Sequence, residues 1–243
     1  MSAGFAGLIY QEYILFGRRI LNTNVPVTER GETAESASAK AYRVLEKMIV
    51  TLELAPGSVT TERALIEKTS LGRTPVREAI QRLAWEGLVA IRSRAGLEIA
   101  PLHAGDWLKV LDARRGTEII LARSAARFAT PEIVARLQAT ALAIHSAVVS
   151  SDVVGYLEAE KSLDDSIALA ADNQFAARLI VPLQIHSRRF WFRFQSGTGL
   201  AEVAGNHVTL IRAILERDQD SAAAEADRLM ALLCLHAQAA AMR

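Results

Sequence analysis

Six arginines carry the first chemistry the chain offers. Arg63, Arg73, Arg77, Arg82, Arg92 and Arg94 all lie between positions 63 and 94. Arg73 and Arg77 are four apart, so on a helix they share one face. Val76, Ile80 and Leu83 mark the opposite face as apolar. A helix built this way can enter a DNA major groove. There a guanidinium forks onto guanine O6 and N7, or onto a phosphate. Thr74 adds a hydroxyl for a phosphate, and the free N–H groups of a helix start add further donors. The same residues also fit a solvated arginine face held by ordinary salt bridges. The charge is local. Residues 36–103 hold ten Lys and Arg against seven Asp and Glu, a net of +3, while residues 104–243 hold fifteen against sixteen. The whole-chain net of +1 hides this division.

The elements that must position these arginines follow from periodicity. Ala41, Val44, Leu45, Met48, Ile49 and Leu52 recur at helical spacing and stop at Ala55-Pro56-Gly57. Thr61 can cap a short second helix that turns Leu65 and Ile66 inward. A third helix runs from Arg73 to about Trp85. Pro75 lies in its first turn, where a missing N–H costs nothing, and Gly87 ends it. The pattern then switches to strand: Leu88–Ile91 and Leu97–Ala100 flank a hairpin tip at residues 92–96. Three helices and a hairpin wing outline a winged helix-turn-helix.

From Asp106 onward everything reads as helix, with segments expected at 105–128, 131–149, 152–171, 174–196, 199–217 and 219–241. Pro182 is expected to kink the fourth. The fold class is therefore mainly α: a winged helix-turn-helix over 36–103, then an all-α bundle of six or seven helices over 104–243. Residues 1–35 read as an N-terminal extension or linker. Its first half is apolar and fit for a short helix, and its second half is polar with Pro26 and Gly31.

Composition excludes several classes. The chain is 51% hydrophobic, enough for a sizeable interior, and aromatics are only 6%, in keeping with helix. One cysteine, Cys234, leaves no disulfide framework or Cys-rich zinc site, and it is expected to be a small buried side chain. No run of about 18 apolar residues marks a membrane span. Gln11 and Glu12 interrupt the apolar opening, and Arg18 and Arg19 follow it rather than precede it, so no signal peptide is expected. These features point to the cytoplasm.

The run RTPVREAIQRLAWEGLVAI, Arg73 to Ile91, resembles the signature of the GntR family of bacterial transcription regulators. Upstream Leu54-Ala55-Pro56-Gly57 and downstream Gly96 with Ala100-Pro101-Leu102 extend the likeness. It implies DNA contacts at Arg63, Arg73, Thr74, Arg77 and the wing glycine Gly96. Two positions depart from the pattern. Gly72 stands where a capping Ser or Thr is usual, and Arg94-Ala95 stand where the wing usually carries Asn-Arg, which moves the wing arginine to Arg94.

The helical half resembles the FCD type of effector domain, in the FadR branch. Ala113-Arg114-Arg115-Gly116-Thr117-Glu118 echoes one family pattern, and His207 to Ile214 matches another. Asn173 matches an asparagine that closes a helix. Many such domains hold a metal with an aspartate and three histidines. The resemblance carries those positions onto Glu160, Asp164, His207 and the neighbourhood of Leu229. Two carboxylates and one imidazole would suit Mn²⁺ or Mg²⁺ better than Zn²⁺. Equally, Glu160 and Asp164 can pair with arginines, and His207 can be a hydrogen-bonded core residue.

Arg114 matches the family arginine that faces the effector pocket, and its fork suits a carboxylate. Its alternative is a salt bridge to Glu118 at i+4. The run Arg188, Arg189, Trp191, Phe192 and Arg193 either lines the cavity or anchors its helix. The implied function is a DNA-binding transcription regulator, a repressor, that reads a palindromic operator as a homodimer. A small organic acid at Arg114, Glu160, Asp164 and His207 would modulate it. The other readings are a DNA-binding protein without an effector and a metal-dependent enzyme. No phosphate loop or nucleophile elbow supports an enzyme.

Overall fold

The computed structural model describes residues 35–92, 96–195 and 199–242. Arg94 and almost all of the 1–35 extension lie outside them. The chain is mostly helical and carries one small antiparallel sheet.

Helix α1, Ala37–Val50, starts where the Ser36 hydroxyl accepts from the Ala39 N–H at 3.1 Å. Ala41, Leu45 and Ile49 form its fully buried stripe. Strand β1, Val59–Thr60, leads to α2, Glu62–Thr69, which Thr61 caps through the Ala64 N–H. Ser70 ends α2 in a left-handed conformation. Helix α3, Arg73–Trp85, packs Val76, Ala79, Ile80 and Leu83 against α1. Burying such side chains stabilises the packing by about 1.5–3 kcal/mol each. Gly87, at φ +75°, closes α3, and the Leu88 N–H reaches back to the Leu83 carbonyl at 2.9 Å. That six-to-one bond is the Schellman closure expected at a C-terminal glycine.

Strands β2, Val89–Arg92, and β3, Gly96–Ile99, make the expected hairpin. The sheet order is β1-β3-β2, with Val59 opposite Glu98 and Thr60 opposite Leu97. Strand β1 has no counterpart in the sequence pattern, because two residues are too few to show a strand period.

Six helices follow among the described residues: α4 Ala104–Phe128, α5 Pro131–Ser150, α6 Val153–Ala170, α7 Gln174–Phe194, α8 Gly199–Leu215 and α9 Gln219–Ala241. Local caps mark several of the breaks. Thr130 caps α5 with Pro131 at its first position, Asp152 caps α6, and Asp218 caps α9. Asn173 starts a helix rather than closing one: its side-chain oxygen accepts from the Ala176 N–H at 3.1 Å. Cys234 is half-buried, not fully enclosed.

Helix α5 is long and apolar enough to cross a membrane by composition. It instead turns one stripe, Ile133, Leu137, Ala141, Ile144 and Ala147, inward and packs against α6 and α8.

The chain divides into two compact units. Among the described residues, one holds the winged helix, the chain from Glu35 to Val110 and the segment Pro182–Phe194; the other holds Leu111–Val181 and the residues after Phe194. Helices α4 and α7 therefore each have one part in each unit, and in α7 the change falls at Pro182.

Candidate functional site

In the winged-helix unit, the start of α3 is open. Gly72 occupies its N-cap and supplies no side-chain acceptor, so the first N–H groups face outward. Arg73, Thr74, Arg77, Glu78 and Gln81 bound a surface hollow of about 380 Å³ on the exposed side of this helix. Glu78 and Gln81 are additions to the residues expected from sequence. Their signal was available, since Gln81 is four on from Arg77 and Glu78 four on from Thr74.

The arginines separate by their partners. Arg63 bonds Glu67 at 2.9 Å, Arg73 bonds Glu62 at 3.0 Å and Arg92 bonds Glu98 at 2.8 Å. Exposed pairs of this kind are worth only about 0–1 kcal/mol, so a phosphate can take the arginine over. Arg82 is different. Its guanidinium lies 3.6 Å from the centre of the Tyr42 ring, and its Nε donates to Glu86 at 3.0 Å. The Tyr42 hydroxyl donates to the same carboxylate at 2.7 Å, so Arg82 belongs to the packing of α1 on α3. Burial, with Glu46 and Glu86 beside it, pushes the Tyr42 hydroxyl well above its usual range. Arg77 is exposed and has no ion pair among the described residues. It is the cation of α3 left for an outside acceptor.

Gly96, the implied wing contact, begins β3 at φ +94°. A Cβ there would lie 2.6 Å from the Thr60 carbonyl oxygen. The pairing of β1 with β3 thus requires glycine at this position, whatever it touches on DNA.

Pro182–Phe194 packs within the same unit. The Arg188 guanidinium reaches Glu46 of α1 at 3.6 Å, both buried. His186 Nε2 donates to the Glu86 carbonyl at 3.0 Å, and Trp107 Nε1 donates to Ser187 Oγ at 3.4 Å. Trp107 also stacks on Phe190, ring centres 6.1 Å apart. Arg189 is fully buried, and its Nη2 donates to the Ala100 carbonyl. Burial pulls its pKa down to about 10. Arg188 and Arg189 therefore anchor their helix, while Arg193 is exposed.

In the bundle unit, Tyr156, Glu160 and Asp164 follow one another at four-residue steps along α6. Tyr156 and Glu160 are buried and Asp164 half-buried. His207 of α8 is also buried, and its Nδ1 shares a hydrogen bond of 2.9 Å with the Tyr156 hydroxyl. Tyr156 is a residue that the sequence reading missed, although its i−4 spacing to Glu160 is visible.

Arg114 of α4 is only 2% exposed. Its Nε and Nη2 both donate to one oxygen of Glu118, at 3.0 and 2.5 Å. Its Nη1 is buried and has no hydrogen-bond partner among the described residues. Burial works against the charge, but Glu118, Asp164 and Glu160 outweigh it and hold the guanidinium firmly protonated.

Among the described residues, no three His, Cys, Asp or Glu side chains gather into a group able to hold a metal ion. The expected set of Glu160, Asp164 and His207 does not fit one. His207 turns Nδ1 to Tyr156, and the fourth family position is the buried apolar Leu229.

The model of the FCD domain matches residues 109–232, and that of the bacterial regulatory proteins of the gntR family matches residues 37–99. The chain belongs to the GntR family and carries an FCD domain. It is a DNA-binding transcriptional regulator. The HTH-type transcriptional repressor RspR of Escherichia coli K12 is 24% identical over 193 residues, 77% of this chain and 82% of that protein. The HTH-type regulator of the TAR-I ttuE-ttuC' intergenic region of Agrobacterium vitis is 28% identical over 158 residues, 63% of this chain and 92% of its own length.

Among solved structures, E. coli McbR/YncC superposes on 81% of this GntR-family chain and 94% of its own, with TM-score 0.69 and 18% identity. Lar of Listeria monocytogenes, which controls expression of the agr system there, covers 87% of this chain and 99% of its own at TM-score 0.51 and 18% identity. These two likenesses concern the fold.

Proposed function

We propose that this regulator is a cytoplasmic repressor that binds a palindromic operator as a homodimer. A small carboxylate held in the bundle unit lowers its operator affinity. The protein performs no catalysis. The observation that carries the DNA half is the α3 surface: an uncapped helix start with Thr74, and Arg77 exposed without an ion pair among the described residues. Arg77 reads a base edge or phosphate in the major groove, flanked by Glu78 and Gln81. Arg73 and Arg63 exchange their weak glutamate pairs for phosphates. Arg94 and Gly96 place the wing on the neighbouring backbone. Two-fold symmetry in the protein then matches the two-fold operator.

The observation that supports the effector half is Arg114 Nη1, a buried donor without an acceptor among the described residues. A buried donor left unmatched costs about 1–3 kcal/mol, and a ligand carboxylate removes that cost. Glu160, Asp164, Tyr156 and His207 then meet the hydroxyl and other donor groups of the same ligand. No metal takes part in this reading.

The test begins with an operator selected from random duplexes. Replacing Arg77 with Ala weakens binding to it by about 1–3 kcal/mol, read by fluorescence anisotropy, while the thermal melt stays unchanged. Wild-type affinity in Arg77→Ala would show that α3 is not the reading helix.

A further inference from the structure

Trp85 is the last residue of α3, and it is 91% exposed. Tryptophan rarely stands so open, because its large apolar ring gains from leaving water. The other two tryptophans of the chain follow that rule: Trp107 is fully buried and Trp191 is 3% exposed. Trp85 makes no hydrogen bond and no ring contact among the described residues.

Thr74, Glu78, Gln81 and Trp85 follow one another at steps of four, three and four, so they form one stripe of α3. All four are exposed. The hollow bounded by Arg73, Thr74, Arg77, Glu78 and Gln81 ends one turn short of Trp85. The backbone that carries Trp85 is held from the other side. The next residue, Glu86, receives the Tyr42 hydroxyl and Arg82 on its carboxylate, and His186 on its carbonyl. The Leu88 N–H then closes the helix end on the Leu83 carbonyl. An uncovered ring on a fixed backbone loses little freedom when a partner covers it.

Helix length decides what the ring meets. Trp85 is eleven positions on from Thr74, a rise of about 16 Å. The major groove is about 12 Å wide. A helix that sets Thr74 and Arg77 at the bases therefore carries residue 85 to the groove wall, which is deoxyribose and phosphate. There a flat indole covers apolar sugar carbons, and its Nε1–H donates to a phosphate oxygen.

We propose that Trp85 is a further DNA contact of this regulator, an uncharged one that holds the sugar–phosphate backbone beside the bases α3 reads. The contact depends on α3 being the reading helix, as proposed above.

Anisotropy titrations with the selected operator test it, with Arg77→Ala in parallel and thermal melts as a folding control. Trp85→Ala keeps its melt and binds about ten-fold more weakly, as loss of a partly covered ring does. The loss is the same across operators with single base changes, because a backbone carries no sequence. The slope of log affinity against log salt stays at its wild-type value, because an uncharged ring displaces no counterion. Trp85→Phe keeps the sugar contact and loses only part of the affinity. In the wild type, the operator shields the exposed indole from acrylamide quenching, and Trp85→Phe lacks this shielding. Wild-type affinity in Trp85→Ala, with Arg77→Ala weakened, would overturn the Trp85 contact and leave the reading helix standing. Wild-type affinity in both variants would overturn the reading helix itself. A loss confined to one base pair would overturn the backbone assignment, since the ring would then be reading a base edge.

Discussion

Gly96 sits at φ +94°, where residues with a side chain rarely go, and a Cβ would lie 2.6 Å from the Thr60 carbonyl oxygen. The obstacle is backbone, so it cannot swing aside as a flexible side chain would. Two costs add in Gly96→Ala: the strained φ and the forced separation of β1 from β3. The variant is expected to lose about 2 kcal/mol of stability, read by denaturant unfolding. Wild-type stability in Gly96→Ala would show that the β1–β3 contact is slack. Arg77 and Gly96 thus bear on the same function in different ways. Arg77 is exposed and expendable for folding, so its loss is expected to remove affinity alone. Gly96 shapes the wing, so its loss is expected to remove both affinity and fold.

At the scale of elements, the second half of α7 behaves as a part of the winged-helix unit. His186 is its sensitive contact. Burial and the neighbouring Arg189 charge hold the His186 imidazole below its usual pKa, while the bond to the Glu86 carbonyl works the other way. The sign follows from linkage. The unfolded chain takes up a proton as pH falls past about 6.5, and the folded chain resists it. Stability from His186 is therefore present near neutral pH and lost on acidification. The midpoint of urea unfolding is expected to fall between pH 7.5 and pH 5.5 on this account, windows set about the ordinary histidine pKa. His186→Gln keeps a donor for the carbonyl and removes the proton uptake, so its midpoint falls less. Equal falls in both proteins would show that His186 does not supply the slope. Arg188 and Glu46 bind α7 to α1 through a buried ion pair, which orients α7 more than it stabilises it.

At the scale of the whole molecule, regulation is a coupling between two sites. Arg114 lies in the bundle unit and Arg77 in the winged-helix unit, while α4 and α7 each have residues in both. An effector that lowers operator affinity needs a coupling of only about 1–3 kcal/mol, or roughly 5–150-fold. Reciprocity requires the operator to weaken the effector by the same factor. A thermal-shift screen of small mono- and dicarboxylic acids is expected to find a ligand that stabilises wild type and Arg77→Ala alike. Arg114→Met is expected to lose that shift and to hold the operator whether or not the acid is present. An acid that releases the operator equally well from Arg114→Met would place the effector elsewhere.

Much of this was local, and what was local was legible. The helices of the bundle begin and end within a few residues of their expected bounds, because caps such as Thr130, Asp152 and Asp218 act over three residues and apolar stripes repeat every three or four. The winged helix and the exposed side of α3 followed from the run Arg73 to Ile91 for the same reason. Contacts that join distant residues were not legible. His186 meets Glu86 across 100 positions, Arg189 meets Ala100 across 89 and Trp107 meets Ser187 across 80. No periodicity encodes such pairs, so whether Arg188 and Arg189 face a ligand or anchor a helix stayed open. Two further outcomes depended on packing. Tyr156 takes the His207 nitrogen, and the carboxylates of α6 do not close around a metal with it. Sequence alone determined which helices form and which of them carries the exposed arginines. Tertiary structure decided which charges are already matched within the chain, because a side chain's partner is set by which surfaces meet in space.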